Sequence, residues 1–144
     1  MVSCGQTDKQ VIDDRIAETK KYIVKIDADE TLVEGISEGI IQYDGQTGGF
    51  DTYNLFDPKT KELLRIRHNE STDTSLVLTF YYKEQKLIYA EAFKTFWTDD
   101  KLKDESEQKI YFSNGKVIQK TGHAMTESEL FKTGMEFLER DLKY

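Results

Sequence analysis

The chain has 144 residues, 33% charged and 38% hydrophobic, with one proline and a formal net charge of −7. That composition describes an ordered domain able to bury a core without staples, and its acidic balance excludes nucleic-acid binding by counterion displacement. A single cysteine excludes an internal disulfide and a cysteine-based zinc site, and no apolar run is long enough to span a bilayer as a helix.

Met1-Val2-Ser3-Cys4-Gly5-Gln6 resembles the end of a bacterial lipoprotein signal peptide, with Ser3 as the small residue before the cysteine that becomes acylated. Met1 stands where a leucine is usual, and the charged and apolar parts of such a signal would lie upstream. In style the chain is similar to small Bacteroidota lipoproteins of unassigned function. The resemblance implies that residues 1–6 are a lipobox remnant and tether, that Cys4 carries lipid, and that the domain works at the bacterial envelope, on a periplasmic or outer-membrane face. An unmodified Cys4 would place it in the cytoplasm. Residues 7–144 form one domain by size.

Thr7 and Gln10 make a capping box, after which Ile12, Ile16, Thr19, Ile23 and Ile26 recur at helical spacing. Asp27, Asp29, Thr31 and Glu38 match calcium-loop positions one, three, five and twelve, but Leu32 replaces the turn glycine and Glu34 an apolar position. Residues 27–38 therefore read as an acidic connection. Ile40, Ile41 and Tyr43 suggest a short strand ended by Asp44-Gly45, and Gln46 to Gly49 a loop.

Phe50 to Phe56 alternates as a strand, and Asp57-Pro58-Lys59-Thr60 forms a turn. In the next strand Leu64, Ile66 and His68 share a face, while Leu63, Arg65 and Arg67 point away. Asn69 to Asp73 is a polar connection into the central hairpin, Ser75 to Trp97, turning at Lys83 to Lys86. Simple alternation sets Leu76, Leu78, Phe80 and Tyr82 on one face with Leu87, Tyr89, Glu91 and Phe93. The charged residues 98–109 read as an exposed connection. Asn114-Gly115 is a hairpin turn that sets Phe112 opposite Val117 and Tyr111 opposite Ile118. Thr126-Glu127-Ser128-Glu129 caps a last helix, with Met125 and Leu130 as a staple; Gly134 in its interior implies close approach to the sheet. The expected class is α+β: an N-terminal helix, an antiparallel meander of five to seven strands and a C-terminal helix, the helices covering one face or clasping the sheet.

Chemistry is sparse. His68 and His123 lie in no nucleophile or HExxH pattern, so no catalytic residue, metal or cofactor is assigned. A histidine would become a hydrolase candidate if it lined a deep pocket beside a carboxylate. The aromatic residues offer more: an exposed sheet face carrying Tyr81, Tyr89, Phe96 and Trp97 would take a small apolar ligand, a glycan or a protein partner. The expected function is a lipid-anchored, non-enzymatic binding or accessory domain. The alternative is an acidic immunity or inhibitor protein presenting Asp99, Asp100, Asp104 and Glu105 to a basic toxin or enzyme.

Overall fold

The computed structural model describes residues 8–43 and 45–142; Cys4, Thr7 and Asp44 lie outside them. The chain runs α1 (Asp8–Ala28), β1 (Val33–Tyr43), β2 (Gln46–Phe56), β3 (Leu63–Ser71), β4 (Thr74–Lys83), β5 (Lys86–Thr98), β6 (Lys101–Ser113), β7 (Lys116–Gly122) and α2 (Glu127–Leu142). All seven strands form one antiparallel sheet in sequence order, giving the expected α+β meander between two helices.

The helices clasp the sheet, each closing its own core. α2 lays Leu130 and Leu138 on Ile66, Leu78, Phe80, Ala90, Ala92 and Ile110. On the other face, Ile16 and Ile26 of α1 pack with Leu55, Leu64, Tyr81, Tyr89 and Tyr111. Thr126 caps α2 by accepting a hydrogen bond from the Glu129 N–H at 3.2 Å. Gly134 sits where a Cβ would meet Phe80 Cδ1 at 2.8 Å and Leu87 Cδ2 at 2.9 Å, so the close approach read from the sequence is real.

Four stretches expected to be connections are strands. Residues 33–38 belong to β1, residues 46–49 to β2, residues 69–71 to β3 and residues 101–109 to β6. Their turns are shorter than polar composition suggested. Glu84-Gln85, Asp99-Asp100 and Asn114-Gly115 each connect two strands with both residues at positive φ, the backbone that matches the right-handed twist of the flanking strands.

Bulges shift the faces that simple alternation assigned. Tyr81 pairs with Tyr89 and Tyr82 with Leu87, leaving Ile88 as an extra residue, so Tyr89 joins the Tyr81 face instead of the Phe80 face. Leu64 is the extra residue between the Leu55–Arg65 and Phe56–Leu63 pairs; Leu63 therefore packs under α2 and Leu64 under α1, the reverse of their expected sides. Phe112 does oppose Val117, but Tyr111 opposes Gln119 because Ile118 is extra. Leu64, Ile88 and Ile118 all join the α1 core, so each of these three irregularities adds an apolar side chain beneath that helix, while a fourth leaves Lys103 as the extra residue of β6.

Candidate functional site

On the α2 face the register lines side chains up in rows across the sheet. Gly35, Asn54, Ile66 and Phe80 form one, Ser37, Thr52, His68 and Leu78 the next, and Gly39, Phe50, Glu70 and Leu76 a third. Large residues on β3 and β4 and alanines on β5 let α2 pack close. Edge strand β1 contributes Gly35 and Ser37, which are too small to reach the helix, while at Gly39 the Phe50 ring occupies the place of a side chain. The unfilled space is a cavity of about 690 Å³ between α2 and strands β1–β4, within the range of small-molecule sites.

Ile41, Phe50, Ile66, Leu76, Leu78 and Phe137 give this cavity an apolar floor and side wall. Its polar lining comes from Ser37, Thr52, Asn54, His68 and Glu70 on the sheet and from Thr133, Glu136, Arg140 and Asp141 on α2. Arg140 lies over the Phe137 ring, 5.4 Å from its centroid, and burial pushes the Asp141 carboxyl above the usual carboxylate range. The buried Asn54 Oδ1 has no hydrogen-bond partner. A buried acceptor left without a donor is costly, and this oxygen is both unpartnered and shielded from solvent. The loop before α2 is fixed from below, where the buried Gln108 side-chain oxygen accepts the Ala124 and Met125 N–H groups at 3.1 and 3.0 Å.

His68 is the most organised polar group of the cavity. Its Nδ1 is 2.7 Å from the Thr52 hydroxyl and its Nε2 is 3.2 Å from a Glu70 carboxylate oxygen. The ring lies tilted between two phenylalanines, its centroid 5.2 Å from that of Phe137 and 5.8 Å from that of Phe50. An ionised Glu70 only accepts, so the neutral imidazole carries its proton on Nε2 and accepts from Thr52 at Nδ1. Hydroxyl, imidazole and carboxylate in a chain can activate a nucleophile. Acyl transfer also needs donors for the developing oxyanion, and β2 around Thr52 is paired on both sides, with its backbone N–H groups engaged in the ladders. The arrangement therefore holds a ring and a hydroxyl in fixed orientation more completely than it equips a reaction.

The surface expected from the sequence is dispersed. Tyr81 and Tyr89 do stand together, ring centroids 6.0 Å apart, but they are 5% and 6% exposed beneath α1. The Tyr81 hydroxyl donates to both oxygens of Asp27 at 2.8 and 2.9 Å, and Arg65 bridges Asp27 and Glu34, fastening the end of α1 to the sheet. Burial, with that carboxylate adding to it, pushes the Tyr81 phenol up to about 12. Trp97 is 46% exposed at the far end of β5, its ring N–H donating to Thr95, while Phe96 points to the opposite face. The four aromatic residues thus form no common binding surface.

The four acidic residues are split as well. Asp99 and Asp100 form the β5–β6 turn, Asp104 stands opposite Phe96 and Glu105 opposite Thr95 on alternate faces, with Lys101 and Lys103 between them. His123 is exposed in the loop before α2 and lines none of the cavities described. Among the described residues, no group of His, Cys, Asp and Glu is placed to hold a metal ion.

Comparisons were made with protein-family models, curated proteins and solved structures. The chain has no significant match in any of them. The cavity was missed in sequence because Ser37, Asn54, Glu70 and Glu136 come from four separate elements. One local signal existed: Asn54 and His68 are polar at positions that pair with the core residues Ile66 and Leu78.

Proposed function

We propose that this domain is a non-enzymatic binding module that encloses a small amphipathic molecule between α2 and strands β1–β4. The observation that carries this reading is the cavity of about 690 Å³ with an apolar floor and polar groups in its lining. The binding surface thereby moves from the Tyr81–Trp97 face to the opposite side of the sheet. Cys4 would serve as the lipid anchor; four residues to the start of α1 reach at most about 14 Å, which would keep the domain close to the bilayer.

Titration with a fluorescent apolar probe, comparing the native chain with Ser37→Trp, tests the reading. Ser37 is exposed on an edge strand and lines the cavity, so the indole would occupy the site without burdening the core. Saturable binding that Ser37→Trp abolishes at unchanged thermal stability is the expected result. Binding that the substitution leaves untouched, or no binding by the native chain, would end this assignment. The intact mass of the N-terminal peptide from the host, expressed with its upstream sequence, tests the anchor separately.

A second reading has the Thr52–His68–Glu70 chain in its favour: hydrolysis of an ester in the same cavity, with Thr52 as nucleophile and His68 as base. Ester turnover by the native chain that is lost in both Thr52→Val and His68→Gln, with ligand binding retained, would select it over simple binding.

A further inference from the structure

Resting on the cavity reading above, we propose that its ligand is a cationic amphiphile: an apolar chain or ring system bearing a protonated primary amine. Two features of the lining converge on that chemistry. Carboxylates outnumber cations, with Glu70, Glu136 and Asp141 against Arg140, Glu70 also bonding His68 and Glu136 lying 3.9 Å from Lys132. The rings of Phe50 and Phe137 line the same space and flank His68, and aromatic faces attract ammonium groups.

The alternative headgroup is a carboxylate. It would find one guanidinium, already resting over Phe137, and would face three groups of its own sign. A neutral alcohol would gain nothing from the charge of the carboxylates. Asp141 adds a supporting detail: burial disfavours its ionised form, and a cation in the cavity would oppose that effect.

The test uses three probes of one chain length, dodecylammonium, dodecanoate and dodecanol, below their aggregation limits, in calorimetric titrations of the full chain. Dodecylammonium should bind about tenfold or more tightly than dodecanoate, and Glu136→Gln with Asp141→Asn should remove most of that difference. Arg140→Gln should strengthen dodecylammonium and weaken dodecanoate. Because a chain of net charge −7 attracts cations everywhere, Ser37→Trp is the control. Dodecylammonium binding that survives Ser37→Trp overturns the proposal. Tighter binding of dodecanoate or dodecanol, sensitive to Ser37→Trp, overturns the headgroup assignment and leaves the cavity reading standing. If none of the three probes binds, both fall.

Discussion

Tyr82 and Gly134 are joined across the sheet–helix interface: the buried Tyr82 hydroxyl donates to the Gly134 carbonyl at 2.6 Å. The missing side chain at Gly134 makes that distance possible, since α2 lies directly on Phe80 and Leu87 there. Gly134→Ala improves intrinsic helix propensity by about 1 kcal/mol, yet the added methyl must displace two core side chains, so a net loss of about 1–2 kcal/mol is expected. Tyr82→Phe should cost about 1 kcal/mol through the lost hydrogen bond. Urea unfolding checks both; a stabilised Gly134→Ala would mean that the helix can ride up without penalty.

Alkaline pH should unfold the domain. Tyr22 is pushed up to about 12, first by burial and then by Glu62 and Glu84, and Tyr81 to about 12 by burial and its bond to Asp27. Tyr82 and Tyr89 are raised too, chiefly by burial. A phenol raised in the folded state stays protonated there after the unfolded chain has begun to ionise. Its contribution is therefore complete below the ordinary value of about 10 and is lost as pH climbs from there towards 12. Circular dichroism and phenolate absorbance should change together over that interval. Tyrosines that ionise freely while the fold persists would contradict this.

His68 should carry its proton on Nε2 when neutral. Glu70 fixes that choice, and Thr52→Val removes the donor from Nδ1 without changing the acceptor at Nε2. The native ring should therefore give the nitrogen shifts of the Nε2–H tautomer, and Thr52→Val should lose about 1 kcal/mol of stability. An Nδ1–H ring would reverse the direction of the Thr52 bond and weaken the case for an ionised Glu70.

The turn Asp99-Asp100 can be improved. Both residues hold positive φ, 52° and 62°, where Asn and Gly are preferred. Asp99→Asn with Asp100→Gly should stabilise the domain by about 0.5–1 kcal/mol while removing two of the four carboxylates read as a partner surface. If that surface served an inhibitor, the same variant would bind its target more weakly and more slowly at low salt.

Local chemistry made the ends of the fold legible. The cap at Thr126 and the Asn114-Gly115 turn act within a few residues, and the glycine at 134, whose role is a contact with the distant Phe80 and Leu87, betrays itself by its cost in a helix; each has the expected role. Residues 101–107 were misread because β6 is covered by the helices only along its later half, where Gln108, Ile110, Tyr111 and Phe112 are buried. A strand without burial looks like a loop. The bulges at Leu64, Ile88 and Ile118 defeated strict alternation, since one inserted residue shifts which side chains share a face. The cavity was least legible because it arises partly from a side chain β1 lacks: glycine at 35 reads as weakness in a strand until the helix above is known.

The two cores lie on opposite faces of one sheet, and the cavity belongs to the α2 side alone. If Cys4 is anchored, a pull on it would enter at the start of α1, load the Ile12 and Ile16 contacts first and reach last the bonds of Tyr22 to the Tyr82 carbonyl at 2.7 Å and of Asp27 to Tyr81 and Arg65. α1 would then act as a mechanical fuse, peeling from one side of the sheet while α2 stays packed on the other.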